Sequence, residues 1–266
     1  GIKTKIKATA GFQKSSDLNK VYPTTTLGYK KDFKKMVFTG GVGSHFRQPT
    51  FNDLFWKAGG NGDLESENGW SIEQFMKFER QKGFSFNIGA YYSIIDNWIQ
   101  WVPSGTIWMP QNVKKVKASG VESLLEMKFN VNNFKVNLSN SSSYTRTTVI
   151  ESEIINDNAI GNQAVNIPFF NSLLKSGFSN NKWRLNYRVS FKGKRYISFD
   201  NNEDSALPSY WLSSLDVSRN FVLKDLNIAS KIRIANLFNQ AYEVVGNVPM
   251  PGRAFYLTLN FKFKNN

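Results

Sequence analysis

The stretch Phe255-Tyr256-Leu257-Thr258-Leu259-Asn260-Phe261-Lys262-Phe263 decides how the rest of the chain is read. Phe255, Leu257, Leu259, Phe261 and Phe263 fall at every second position, with Tyr256, Thr258, Asn260 and Lys262 between them. Side chains of a strand point alternately to its two faces, so this is a strand with one apolar and one polar side. The same alternation sets Trp183, Leu185, Tyr187, Val189 and Phe191 against Arg184, Asn186, Arg188, Ser190 and Lys192. A third run sets Phe84, Phe86, Ile88 and Ala90 against Ser85, Asn87 and Gly89. Helical periodicity is scarce, and the expected fold class is all-β.

The breaks between such runs are of two kinds. Short polar breaks fall near 30–34, 81–83, 130–133, 179–182 and 223–225, roughly 45 to 50 residues apart. Longer segments lie between them, at 47–69, 101–115, 148–163, 199–208 and 239–252. In an up-and-down sheet, alternating short and long connections collect at opposite ends, which is the arrangement of a transmembrane barrel. Phe84, Phe129, Phe134, Phe178, Trp183 and Phe221 flank the short breaks, as an aromatic ring at a membrane-water boundary would. The runs reach about ten residues, the length a tilted spanning strand needs. The expectation is an antiparallel up-and-down transmembrane β-barrel with about twelve strands present. The alternative on pattern alone is a soluble sandwich, whose strands also alternate but are shorter and bury their rings between two sheets.

Composition narrows the function classes. The 34 Lys and Arg against 20 Asp and Glu give a net charge of +14, yet no block of five basic residues occurs, which argues against a nucleic-acid partner. There is no cysteine, so disulfide scaffolds and thiolate metal sites are excluded. No apolar run approaches the ~20 residues of a membrane helix, a test that half-apolar barrel strands escape.

Two segments carry a family resemblance. Phe46-Arg47-Gln48-Pro49-Thr50-Phe51-Asn52-Asp53-Leu54-Phe55-Trp56, with Gly60-Asn61-Gly62-Asp63-Leu64-Glu65 after it, resembles a stretch of TonB-dependent outer-membrane receptors. Ala235-Asn236-Leu237-Phe238-Asn239-Gln240-Ala241-Tyr242, followed by Pro249-Met250-Pro251-Gly252-Arg253, is similar to the signatures before that family's last strand. A terminal aromatic usually ends such chains, whereas here Lys264-Asn265-Asn266 follow Phe263. The wording of the first segment is closest to the cobalamin-receptor subgroup. The resemblance implies an outer-membrane location and larger, 22-stranded barrels filled by an N-terminal plug. Residues 1–266 are accordingly expected to be the C-terminal portion of such a barrel, a fragment without its plug domain. Its partners would be outer-membrane lipid, the plug and remaining barrel strands, TonB acting through the plug, and a small-molecule nutrient, with no cofactor.

Chemistry is sparse by comparison. His45, the only histidine, sits in strand-like sequence with nothing to mark it as a base, and no catalytic constellation can be assembled. Gly40-Gly41-x-Gly43 has no following helix and reads as small residues within a strand rather than a phosphate loop. Asp63, Glu65 and Glu67, and the run Asp200, Asn201, Asn202, Glu203 and Asp204, could offer oxygen ligands to calcium or simply be solvated loops. Trp98, Trp101 and Trp108, with Asn112, could stack on a flat ligand at a receptor mouth or pack loop on loop. Arg47, Asn52, Asp53, Trp56 and Asn61 form a second candidate on the same rim. Arg184, Arg188, Lys192 and Arg233 would give the interior a basic lining. The expected function is energised uptake of a corrinoid or ferric siderophore. The alternatives are a small passive porin-like barrel and a soluble carbohydrate-binding β-protein.

Overall fold

The computed structural model of the chain describes residues 3–14, 21–80, 83–104, 106–112, 115–152 and 157–263. It contains β1 (Lys3–Lys14), β2 (Val21–Phe33), β3 (Met36–Arg47), a one-turn helix α1 (Phe51–Phe55), β4 (Glu67–Arg80) and β5 (Phe84–Asp96). Then come β6 (Ile99–Ser104), β7 (Ile107–Asn112), β8 (Lys115–Val131), β9 (Phe134–Glu151), β10 (Phe170–Ser179) and β11 (Trp183–Lys192). The chain continues through a 3-10 turn (Glu203–Ser205), β12 (Tyr210–Leu223), β13 (Leu226–Ala235), β14 (Glu243–Val245), β15 (Val248–Pro249) and β16 (Ala254–Phe263). Twelve of these form one sheet in the order β1-β2-β3-β4-β5-β8-β9-β10-β11-β12-β13-β16, every neighbour antiparallel. The expected strand number is the number found. The sheet is not closed: β1 and β16 each pair with one strand.

Two details lie beyond the alternation. Within the long connection between β5 and β8, β6 and β7 pair as a hairpin from Ile99↔Asn112 to Ser104↔Ile107. The all-β expectation holds apart from one turn of helix, where Thr50 starts α1 with a reciprocal capping box to Asp53. The short breaks fall within a residue or two of expectation, at Phe33↔Met36, Val131↔Phe134 and Leu223↔Leu226. Of the break at 81–83, residues 81 and 82 lie outside the described residues. At that turn Gly83 takes φ +82°, and a Cβ there would stand 2.2 Å from the Lys128 carbonyl oxygen, so only glycine fits.

Directly opposed residues share a face, so the register assigns every side chain to one side of the wall. Leu185↔Val217, Val217↔Ile232 and Ile232↔Leu257 make one continuous apolar row. Arg184↔Ser218, Ser218↔Lys231 and Lys231↔Thr258 make the row behind it. The apolar face meets no second layer: Phe255 is 69% and Leu257 66% exposed. The chain exposes 17713 Å², against about 11,800 Å² expected of a soluble monomer of this mass. A soluble sandwich would have covered that face. The only clustered core among the described residues, Val116, Val149 and Ala159 with Trp98 and Phe199 against it, draws on the long-connection end of β8 and β9.

Aromatic rings edge both ends of the apolar face. Near the short turns, Phe129 and Phe178 flank Val136, and the Arg219 guanidinium lies 4.7 Å from the rings of both Trp183 and Phe221. An outward-facing arginine at this depth keeps its charge at the interface by lying along those rings. Toward the long connections, Phe191 packs between Phe170 at 5.8 Å and Trp211 at 4.5 Å, and Trp70 meets Tyr92 at 5.9 Å.

One outward amide is covered by its neighbours. Tyr29, Gly40 and Gln74 lie in a row across β2, β3 and β4. The Tyr29 hydroxyl crosses the glycine to donate to Gln74 Oε1, while Gln74 Nε2 donates to the Phe75 carbonyl at 3.0 Å. A Cβ at Gly40 would sit 2.7 Å from Gln74 Oε1 and 2.8 Å from the Tyr29 ring. Gly40→Val should therefore break this bond and lower stability by about 1–3 kcal/mol. Urea titration of the membrane-inserted protein reads the effect, and an unchanged midpoint would contradict the argument.

Candidate ligand-binding rim

The long connections β3–β4, β5–β8, β9–β10, β11–β12 and β13–β16 all emerge at one end of the sheet. The best-built part of that rim joins the β3–β4 connection to the β6–β7 hairpin, and it starts from register. Arg47 and Glu67 end one hairpin directly opposite each other. Arg47 Nε donates to Glu67 Oε2 at 2.7 Å and its Nη2 to Glu67 Oε1. Glu67 Oε1 also accepts from the Ile99 backbone N–H at 2.8 Å, so one carboxylate ties β3 and β4 to the start of β6. Planar bidentate pairing of this kind fixes geometry as well as charge.

Asp53 is the second tie. Its Oδ2 accepts from the Thr50 backbone N–H at 2.9 Å and from Thr50 Oγ1 at 2.7 Å, and its Oδ1 accepts from the Trp101 indole at 2.9 Å. Burial on its own raises the carboxyl's pKa. The Thr50 and Trp101 hydrogen bonds, with the nearby Arg47 charge, outweigh burial and hold it below the usual carboxylate range. A carboxyl lowered on folding contributes stability that is complete above its unfolded pKa, near ~3.9, and is lost as pH falls through the folded value. Acidification below about pH 4 should therefore loosen the Trp101–Asp53 tie before the sheet melts. Indole fluorescence compared with Asp53→Asn checks this, and a pH response unchanged in the variant would exclude Asp53 as its source.

The remaining candidates fall on the same rim. Asn61 donates to the Pro110 carbonyl at 3.1 Å. Asn112 accepts from the Glu65 N–H at 2.8 Å and donates to the carbonyls of Glu65 and Asn97 at 2.9 and 2.7 Å. Trp56 and Trp101 meet at 5.3 Å. The polar groups of Arg47, Asp53, Asn61 and Asn112 thus hold loop to loop. What the rim presents outward is Asn52 and an aromatic surface: Phe51, Phe55, Trp56 and Trp108 all stand exposed. Sequence reasoning misses Phe51 and Phe55, although their spacing of four beyond a Thr-x-x-Asp cap places them on one helix face. Trp98 turns instead toward the small core at Val116.

Of the two groups of calcium candidates, Asp63, Glu65 and Glu67 lie at the β3–β4 side, where Glu67 is taken up by Arg47 and Ile99, and the run Asp200–Asp204 lies on the β11–β12 connection and is used internally. Glu203 accepts from Lys194 Nζ at 2.6 Å and from the Tyr196 hydroxyl at 2.8 Å, contacts that lower its pKa in that order. Asp200 accepts from the Asn202 N–H at 3.1 Å, and the Asp204 N–H donates to Asn202 Oδ1 at 2.9 Å. Among the described residues no group of three or more acidic or histidine side chains converges to hold a metal, so the calcium reading of Asp200, Glu203 and Asp204 gains no support.

On the polar face of the sheet, Lys175 stands directly opposite Arg188, and Asp216 lies 3.2 Å from Lys231 Nζ and 3.9 Å from Arg233 Nε. Register places Arg184, Arg188, Lys192 and Arg233 together on this face, as the basic lining requires.

A wide antiparallel wall with apolar outside, charged inside, short turns at one end and long connections at the other defines a section of an outer-membrane β-barrel. The chain belongs to the TonB-dependent receptor β-barrel family: the family profile described as "TonB dependent receptor-like, beta-barrel" matches residues 2–239. The vitamin B12 transporter BtuB of Photobacterium profundum is 25% identical over 234 residues, spanning 86% of this chain and 36% of that protein. Its Vibrio vulnificus counterpart is 25% identical over 240 residues, 85% of this chain and 35% of that one. The ferric enterobactin receptor PfeA of Pseudomonas aeruginosa has the same fold with a TM-score of 0.71 at 14% identity, over 96% of this chain and 43% of that chain. The ferric citrate transporter FecA gives 0.68 at 14% identity, over 96% and 42%. The chain therefore spans little more than a third of the curated relatives it matches.

Proposed function

We propose that this chain is the wall and ligand-gathering rim of a receptor that takes up a scarce nutrient, a corrinoid first and a ferric siderophore second. The observation that carries the reading is the exposed aromatic surface of Phe51, Phe55, Trp56 and Trp108, held rigid by the Arg47–Glu67 and Asp53–Trp101 ties. Flat rings set on a stiff frame suit a large, partly apolar ligand, because little is lost in ordering them on binding. The vitamin B12 transporters among the relatives support the first choice. The basic inner face gives the siderophore reading its own observation, as anionic cargo would be drawn along it.

In the complete receptor, a plug and further strands close the barrel, and TonB supplies energy through the plug. Lys175 opposite Arg188 supports such a filling. Like charges placed directly across a ladder repel, and no carboxylate of the described residues pairs with either. Carboxylates of a plug would offset them. This chain is the C-terminal part of that barrel.

Binding of cyanocobalamin and of a ferric catecholate to outer membranes carrying the protein tests the reading, with indole fluorescence as readout. Saturable quenching by cyanocobalamin, weakened at least tenfold in Trp56→Ala and Trp108→Ala, is the expected result. Saturation by the catecholate alone selects the second ligand. Assembled protein that binds neither overturns the proposal.

A further inference from the structure

The outward face carries one cation set between rings. Register puts Arg219 on β12 directly opposite Trp183 on β11 and Ser230 on β13, on the same side of the wall as Val217 and Leu259. Its guanidinium lies 4.7 Å from the ring centres of both Trp183 and Phe221, and among the described residues no other cation meets two rings. Phe221 stands two residues closer to the Leu223↔Leu226 turn, so the group sits at the short-turn boundary of the apolar face. Short turns of such barrels face the periplasm, which places Arg219 at the headgroups of the inner leaflet.

A guanidinium held over rings leaves its N–H groups to a partner at its edge. None of those groups on Arg219 donates to a described residue, and no described carboxylate pairs with it. Two lysines flank it on the adjoining turns. The Lys182 carbonyl accepts from the Asn220 N–H at 3.3 Å, which ties the β10–β11 turn to the residue after Arg219. Lys224 forms the β12–β13 turn together with Asp225, the one carboxylate of this corner. The corner thus offers three cations against one acid, directly below an apolar surface.

We propose that Arg219, with Lys182 and Lys224 on the flanking turns, is a binding site for the phosphate of an anionic phospholipid in the inner leaflet. The planar fork of a guanidinium matches two phosphate oxygens at once. Trp183 and Phe221 already hold the side chain in place, so little freedom is lost when the lipid arrives. A headgroup that carries its own ammonium, such as choline or ethanolamine, sets that charge against the two lysines. A phosphate without such a cation, as in phosphatidylglycerol, meets only attraction. The acyl chains of the same lipid then run up the apolar row past Val217 and Leu259. The proposal rests on the barrel's placement in the membrane and not on any nutrient.

The test uses the full-length receptor in phosphatidylcholine vesicles containing phosphatidylglycerol, with bromine on the chains of one lipid or the other. Residues 1–266 contain no cysteine, so a fluorophore on Ser230→Cys reports the lipid beside Arg219. Quenching should give phosphatidylglycerol a local association constant about fivefold above that of phosphatidylcholine. Arg219→Gln should bring the two lipids to parity, and Arg219→Lys should keep part of the preference. The same label on Ser176→Cys, outward on β10 between Leu138 and Tyr187, should show parity in the wild-type background. Inorganic phosphate replacing chloride at constant ionic strength should leave the preference at Ser230 intact. Parity at Ser230, an undiminished preference in Arg219→Gln, or an equal preference at Ser176 overturns the proposal. Loss of the preference to inorganic phosphate also overturns it, because the site would then belong to a soluble anion.

Discussion

Ile232→Arg is expected to destabilise the assembled protein by about 2–4 kcal/mol, the cost of a cation on the lipid face near mid-membrane. Ile232 stands between Val217 and Leu257 in the apolar row and is more than half exposed. Among the described residues no nearby carboxylate shares that face, and the strand places the residue too deep for the guanidinium to reach water as Arg219 does. The heat-resistant folded fraction in outer membranes should fall sharply. Ala229→Arg, three residues away and flanked by Asn220 and Asn260 on the wet face, should leave it nearly unchanged. Equal tolerance of the two would mean that the two sides of this wall have been assigned the wrong way round.

The second large effect is local. Glu67→Ala removes the acceptor shared by Arg47 and the Ile99 N–H and leaves the guanidinium without its planar partner. Loss of a mostly buried carboxylate from a bidentate pair costs about 3–5 kcal/mol when both ions are buried. With Arg47 half exposed, roughly 2 kcal/mol is the expected size, because water takes back part of the charge. The β6–β7 hairpin should lose amide protection while the twelve-strand sheet keeps its own, since loop opening and global unfolding are separate events. Ligand affinity should fall with it, because Trp101 and Trp108 are carried by that hairpin. Unchanged protection at Ile99 would show that Glu67 is not its anchor.

The wall is legible in the sequence because its physics is local: alternation at Trp183–Phe191 and Phe255–Phe263 needs no knowledge of the partner strand. The rim is legible only in its membership. Arg47, Asp53, Asn61, Trp101 and Asn112 do come together, yet most of their polar atoms face one another. Glu67 reads in the sequence as one of an acidic trio. Its role emerges only once the β3–β4 register lays it against a residue twenty positions earlier. The hairpin at 99–112 is hidden by Pro103, Pro110 and Gly105, which read as loop punctuation, although proline is admissible at the edges of a two-stranded ladder. Helix α1 is too short for periodicity, and its only sequence signal is the Thr50-x-x-Asp53 cap.

The outer sides of β1 and β16 carry rows of backbone amides and carbonyls that this sheet does not use. Such rows are stable in water but not in oil. The chain therefore has no sequence of events in which it first enters the bilayer and later recruits its neighbours. Insertion and sealing of the seam have to be one act, and whatever machinery escorts the protein must guard both margins until that moment.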